Sequence, residues 1–213
     1  VELPNNFTNT SSATTISSLT NLMDLDLGDL NNDGLFDIVM VNKTNTSKIL
    51  LNTSSSGNVS FQSYSSGISL TTNGNGFAVK IADLNLDGKN DIVIGQMNST
   101  DMTVFQNNYS SGTMSASNLS AITIKNANPT TSTAVTSWVI DIGDFDGDGK
   151  PDIANGIYGI ISTTTYGGIT LIKNDCAANG TITASNFTTN ADVLSTSVAK
   201  NWSNAFVCDM DKD

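Results

Sequence analysis

One nine-residue pattern recurs along this chain and sets the terms for any fold. It reads Asp29-Leu30-Asn31-Asn32-Asp33-Gly34-Leu35-Phe36-Asp37, then Asp83-Leu84-Asn85-Leu86-Asp87-Gly88-Lys89-Asn90-Asp91, then Asp144-Phe145-Asp146-Gly147-Asp148-Gly149-Lys150-Pro151-Asp152. A fourth copy, Asp209-Met210-Asp211-Lys212-Asp213, is cut off by the end of the sequence. The first aspartates lie 54, 61 and 65 residues apart. Self-similarity at such a period means a repeated structural unit, and the fold must be one in which units stack.

The flanks keep the same phase. An apolar stretch ending in a small residue precedes each loop: Leu25, Leu27, Gly28; Val79, Ile81, Ala82; Ile140, Ile142, Gly143; Ala205, Val207, Cys208. A second apolar stretch follows at Ile38–Val41, Ile92–Gly95 and Ile153–Ala154, and a third ends in Asn52, Asn107 or Asn174. A last segment opens with Phe61, Leu119 or Phe187, and Phe7 opens another. Each repeat thus predicts four short strands, and near-continuous apolar runs predict strands covered on both faces. Four-stranded antiparallel sheets packed between neighbours, with the acidic loop joining the first two strands, are the blades of a β-propeller. The alternative is a β-sandwich with scattered acidic loops. The expectation is an all-β chain, with residues 1–213 forming one propeller region of about three complete repeats and partial repeats at both ends. Because it begins inside an outer-strand segment and stops inside a loop, it reads as an excerpt; alternatively, the segment from Phe7 closes a ring.

Composition narrows the function. The net charge is −11, with nine basic residues, all lysine, and no histidine. Nearly all of that acidity sits in the repeated loops, so the charge is local and the chain offers no basic face for nucleic acid. No apolar run is long enough to span a membrane. The absence of histidine and arginine removes the usual general base and anion clamp, and most aspartates are committed to the loops. An enzyme is not expected.

The loop chemistry points to a hard cation. Aspartates two apart in a tight turn direct oxygens to one centre, and glycine at the sixth position allows the backbone a positive φ. The expected ligands are Asp29, Asn31, Asp33, the Leu35 carbonyl and Asp37; Asp83, Asn85, Asp87, the Lys89 carbonyl and Asp91; Asp144, Asp146, Asp148, the Lys150 carbonyl and Asp152; and Asp209, Asp211 and Asp213. An all-oxygen set suits Ca²⁺, one per complete loop, better than magnesium. The spacing is like an EF-hand loop, but position twelve is Met40, Ile94 or Asn155 where an EF-hand needs a bidentate glutamate. The competing reading is a set of solvated Asp-Gly turns without metal.

The segments IADLNLDGKNDIVIG (81–95), LGDLNNDGLFDIVMVN (27–42) and IGDFDGDGKPDIANG (142–156) resemble FG-GAP and VCBS-type repeats. The FG dipeptide is reversed at Gly76-Phe77 and the GAP triplet is absent, which favours the VCBS-like branch. The resemblance implies a calcium-binding β-propeller, usually seven-bladed, of the kind in integrin α-subunit heads, some lectins and bacterial surface proteins. It implies a structural, adhesive or protein-interaction module at the cell surface. The alternative is a glycan-binding lectin propeller or a non-catalytic part of a secreted carbohydrate-active enzyme. Partners are then proteins or glycans at the cell surface, with assembly into a larger surface structure a further option.

Lesser signals accompany the repeat. Among the Asn-X-Ser/Thr acceptors, Asn6, Asn118 and Asn186 share one repeat position just before the outer-strand residue and are glycosylation candidates. Cys208 occupies a small-residue slot; it is a buried thiol or the partner of Cys176. Asp26, Lys80 and Asp141 also share a position and either pair across repeats or line a solvated channel. Trp138 and Trp202 recur beside the Phe77 position, where core packing is expected over a sugar-stacking platform.

Overall fold

The computed structural model of the chain describes residues 21–43, 46–126, 136–161 and 164–190. The fourth loop (Asp209, Asp211, Asp213), Asn6, Phe7, Trp202 and Cys208 lie outside the described residues.

Among the described residues, twelve strands form three four-stranded antiparallel sheets. The first sheet is β1 (Leu22–Gly28), β2 (Asp37–Asn42), β3 (Ser47–Leu50) and β4 (Ile68–Leu70). The second is β5 (Asn75–Ala82), β6 (Asp91–Met97), β7 (Asp101–Asn107) and β8 (Leu119–Lys125). The third is β9 (Thr136–Gly143), β10 (Asp152–Ile161), β11 (Thr164–Asn174) and β12 (Phe187–Asn190). Each sheet is a meander with strands in chain order; the second and third strands are joined by short hairpin links, while longer segments lead to the fourth. The small residue before each loop pairs with the loop's last aspartate: Gly28 with Asp37, Ala82 with Asp91, Gly143 with Asp152.

The sheets stack face to face through two cores. Along β6, Ile92 and Ile94 enter the core against the first sheet, while Val93 enters the core against the third. Likewise Phe105 of β7 faces one way and Met102 and Val104 the other. This is why these strands read as unbroken apolar runs: the middle sheet is covered on both faces. The second loop residue joins the same cores, Leu30 in the first and Leu84 in the second. Phe77 and Trp138 meet between adjacent sheets with ring centroids 4.8 Å apart and planes tilted by 42°, so this aromatic position packs the interface.

The inner strands also bond sideways. Asp24 and Asp26 on β1 accept the Val79 and Ile81 backbone N–H groups of β5 at 3.0 and 2.8 Å. Lys80 of β5 meets Asp141 of β9 at 3.7 Å. The shared position of Asp26, Lys80 and Asp141 is therefore a contact between neighbouring repeats, by a backbone bond in one case and an ion pair in the other.

The first repeat departs from the pattern at its outer edge. Phe61 pairs with Asn52, as Leu119 pairs with Asn107 and Phe187 with Asn174. Its strand does not continue, however; the ladder resumes only at Ile68, opposite Ile49. A turn at Ser63–Gly67, closed by the Ser66 and Gly67 amides on the Ser63 carbonyl, interrupts it.

Residues on both faces of the middle sheet should matter alike. Ile92→Ala and Met102→Ala should each cost about 2–5 kcal/mol in urea unfolding, through lost burial and a residual cavity. Val59→Ser, at a position 71 % exposed, should stay within about 0.5 kcal/mol. Equal tolerance at all three sites would refute the stacked arrangement.

Candidate metal centres in the repeated loops

Each loop wraps around its own first aspartate. The Gly34, Gly88 and Gly149 amides donate to Oδ2 of Asp29, Asp83 and Asp144 at 2.8, 2.7 and 2.8 Å. The fifth residue accepts from the seventh: Leu35 N–H to Asp33, Lys89 N–H to Asp87 and Lys150 N–H to Asp148, at 2.8, 3.0 and 3.0 Å. The glycines take φ of +86°, +82° and +82°, as the sequence requires of them. The fourth residue is left-handed too, with φ of +56° at Asn32, +55° at Leu86 and +77° at Gly147. Asparagine and glycine take this conformation readily, but a leucine there is strained.

The closing aspartates carry a second duty that the sequence does not announce. Asp37, Asp91 and Asp152 are buried, and each spreads its carboxylate between two backbone amides. One oxygen accepts from the second loop residue: Leu30 at 2.9 Å, Leu84 at 3.0 Å, Phe145 at 3.1 Å. The other accepts, at 2.8 Å in every repeat, from the asparagine at or just past the end of the third strand: Asn52, two residues beyond β3, and Asn107 and Asn174, the last residues of β7 and β11. The aspartate thus ties its loop to the end of the neighbouring third strand of its own sheet.

Those asparagines extend the tie to the preceding repeat. Asn107 Nδ2 donates to the Leu30 carbonyl at 2.8 Å and to the Asn90 carbonyl at 3.1 Å. Asn174 Nδ2 donates to the Leu84 carbonyl at 2.7 Å and to the Pro151 carbonyl at 3.0 Å. Their Oδ1 atoms accept the Tyr109 and Cys176 amides. Asn52 repeats the inner half of the pattern, donating to the Phe36 carbonyl at 2.9 Å and accepting from Ser54.

Burial and like charge act on these carboxylates. Burial pushes the Asp91 carboxyl up to about 7, opposed by the Asn107 and Leu84 amides and reinforced by Asp87 and Asp83. Asp37 is raised for the same leading reason. Lysines lie on the fifth aspartates: Lys89 Nζ is 2.9 Å from Asp87, and Lys150 Nζ is 3.5 Å from Asp148. In the third loop Lys173 bonds Asp146 and lies 3.4 Å from Asp148 and 3.5 Å from Asp175. The Asp146 bond holds its ammonium above the usual lysine range. Leu51 and Gln106 occupy the equivalent place before Asn52 and Asn107, so this cation belongs to one repeat only.

Two features fit a bound cation. Asp144, Asp146 and Asp152 each offer an oxygen, and the three lie within 4.8 Å of one another. That is the span across an ion with oxygen ligands at about 2.3–2.6 Å. In the second loop Asn85 is buried, and its Oδ1 has no hydrogen-bond partner. A buried acceptor without a donor is costly and invites a cation. Asn31 instead donates within its own loop to Asp33 Oδ2 at 2.9 Å.

The glycosylation candidates have a local role. Asn118 and Asn186 end one-turn 3₁₀ helices, where each Oδ1 accepts the backbone N–H of Ser115 or Thr183 at 2.9 and 2.8 Å. This capping box accounts for the recurrence of asparagine there. Cys176 is buried in the second core.

Three stacked four-stranded sheets with an acidic loop between their first two strands define a β-repeat protein. The sequence model of the FG-GAP-like repeat matches residues 29–94 and again 83–154, together more than half of the chain, and the chain belongs to this family. Each match starts at a loop's first aspartate and runs through the next loop, so the family unit is the interval between the loops described above. No curated protein matches the chain significantly.

The ties can be tested by deletion. Asn174→Ala strips the donor from the Leu84 and Pro151 carbonyls and should cost about 1–3 kcal/mol for each buried group left unpaired. Asn52→Ala, which frees a single carbonyl, should cost less; a larger loss at Asn52 would contradict the inter-repeat tie.

A folded-state value near 7 for Asp91 means that the metal-free native chain keeps a proton that the unfolded chain has released above its ordinary value of 3.8. That stability is fully present below the lower value and is lost as the pH rises through the upper one. The urea midpoint of metal-stripped protein should therefore fall between about pH 4 and pH 7. A midpoint that rises over this interval would contradict the burial of a strained carboxylate.

Proposed function

We propose that the chain is a stretch of a calcium-stabilised β-propeller that serves outside the cell as a structural, adhesive or protein-interaction module without catalytic activity. The observation that carries the reading is the convergence of Asp144, Asp146 and Asp152 oxygens within 4.8 Å in a loop whose design recurs twice more. Asp29, Asn31, Asp33 and Asp37 would hold one ion, Asp83, Asn85, Asp87 and Asp91 a second, and Asp144, Asp146, Asp148 and Asp152 a third. The carbonyls of Leu35, Lys89 and Lys150 would complete the three sets, and Asp209, Asp211 and Asp213 would begin a fourth. Bound calcium supplies positive charge at the one place where the fold gathers carboxylates; the chain supplies the turn that aims them.

Further blades are supported by apolar groups left open on the stack. Leu25 and Leu27 on β1 are exposed, and Phe145 is exposed although Leu30 and Leu84 at its position are buried. A ring of about seven such units would cover them. Calcium dependence supports a place outside the cell, where the ion is abundant. Among the described residues no helix is long and apolar enough to cross a membrane. The chain has no histidine, and Asp91, whose carboxyl is pushed up to about 7, is fully buried with both oxygens held by backbone amides, which supports a binding role.

Chelation tests the reading. A metal chelator should lower the melting temperature by at least about 10 °C, equivalent to a few kcal/mol for a chain this size. Calcium should restore it and magnesium should restore less. An unchanged melting temperature would defeat the proposal.

A further inference from the structure

The second loop is not finished by its own repeat. The segment that follows β11, from Asp175 to Ile182, reaches back across the interface and lies on it. Asn174 holds the segment's start on the Leu84 carbonyl, and the Cys176 and Ile182 side chains fix it in the second core. Between these anchors the chain turns, with Gly180 N–H on the Ala177 carbonyl at 2.9 Å and Asn179 at φ +57°. The crest of the turn meets one residue of the loop. Asn179 N–H donates to the Asn85 carbonyl at 2.7 Å, and Asn85 Nδ2 donates to the Gly180 carbonyl at 2.7 Å. Gln106 grips the turn from the side of β7: its Nε2 donates to the Gly180 carbonyl at 3.3 Å, and its Oε1 accepts Ile182 N–H at 3.0 Å.

This settles the orientation of the Asn85 amide. A carbonyl only accepts, so the nitrogen of Asn85 must face Gly180 and the oxygen must face away. That oxygen is the buried acceptor without a partner. The first loop has no counterpart to this arrangement, since the Asn31 amide is spent on Asp33 within its own loop.

We infer that the turn at Ala177–Gly180 is a positioning element for the second loop's cation site, so that calcium binding there and docking of the third repeat's turn reinforce each other. The inference rests on the calcium reading above. With the turn docked, Asn85 offers its oxygen without a search among rotamers. With the turn released, the amide is free to rotate, and a cation held by Asp83 and Asp87 loses a fixed neutral ligand. Linkage is reciprocal: whatever the docked turn adds to calcium affinity, bound calcium adds to docking. The second site then senses whether the next repeat is seated, which the first does not do by this route.

The experiment is a calcium chloride titration of the isotope-labelled chain by NMR, with the Gly34, Gly88 and Gly149 amides as separate reporters of the three loops. Gln106→Leu removes both grips on the turn and no expected ligand. It should weaken the Gly88 transition about 5- to 150-fold, the usual span of coupling between sites, and leave those of Gly34 and Gly149 in place. In the unmodified chain, calcium should slow hydrogen exchange at the Asn179 and Ile182 amides, which belong to a different repeat from the loop being filled. This second measurement needs no variant and stands even where Gln106→Leu folds poorly. An unshifted Gly88 transition in a variant whose Ile182 amide is deprotected would overturn the inference, as would Asn179 and Ile182 exchange that ignores calcium while Gly88 responds. No response at any of the three glycines in the unmodified chain would overturn the calcium reading itself, and this inference with it.

Discussion

The carboxylate that closes each loop is the point on which the repeat turns. Asp37, Asp91 and Asp152 sit where the second strand begins, and each accepts one amide from the loop and one from the end of the third strand. Where the carboxyl is ionised these bonds are charge-assisted and strong, and both oxygens keep lone pairs for a further partner. The cost is a negative group drawn out of water beside two or three others. Asp91 shows the scale of that cost in its raised proton affinity. A motif that buries one carboxylate to hold a sheet together, and gathers the rest around it, creates the field that a cation relieves.

From this tie the stacking follows by a single further step. The asparagine that gives its amide to the closing aspartate sends its side chain to a carbonyl of the repeat before, Leu30 for Asn107 and Leu84 for Asn174. The side chains of the same two leucines fill the apolar interfaces. Backbone polarity and side-chain burial at one residue are therefore satisfied by the same neighbour. The energetics of such a chain are close to a sum over repeats and nearest-neighbour contacts, so a defect at one interface weakens its neighbours first.

The repeat, its four strands and the double coverage of the middle sheet were legible because they rest on periodicity and apolar runs. The Phe61, Leu119 and Phe187 equivalence was legible too, and each residue pairs with the expected asparagine. The interruption before Ile68 was not, because Ser63–Gly67 makes a turn within a stretch that carries no register signal of its own. The duty of Asn52, Asn107 and Asn174 stayed hidden for a different reason. A recurring asparagine was visible, but its acceptors are carbonyls 77 and 90 residues away in the cases of Asn107 and Asn174, and any residue supplies a carbonyl. The left-handed fourth position was equally silent, since Asn32, Leu86 and Gly147 share no chemistry that marks it.

Identical signatures also conceal unequal sites. In the first loop, among the described residues, no lysine pairs with the aspartates. In the second, Lys89 lies on Asp87, and a neighbouring repeat fixes the Asn85 amide. In the third, an extra carboxylate at Asp146 is met by Lys173 from β11. An ammonium placed among carboxylates lowers their mutual repulsion, so the three loops carry unequal amounts of unmet negative charge. The motif fixes the geometry of the turn; the residues around it, which differ from repeat to repeat, set how much of each loop's negative charge is met within the protein.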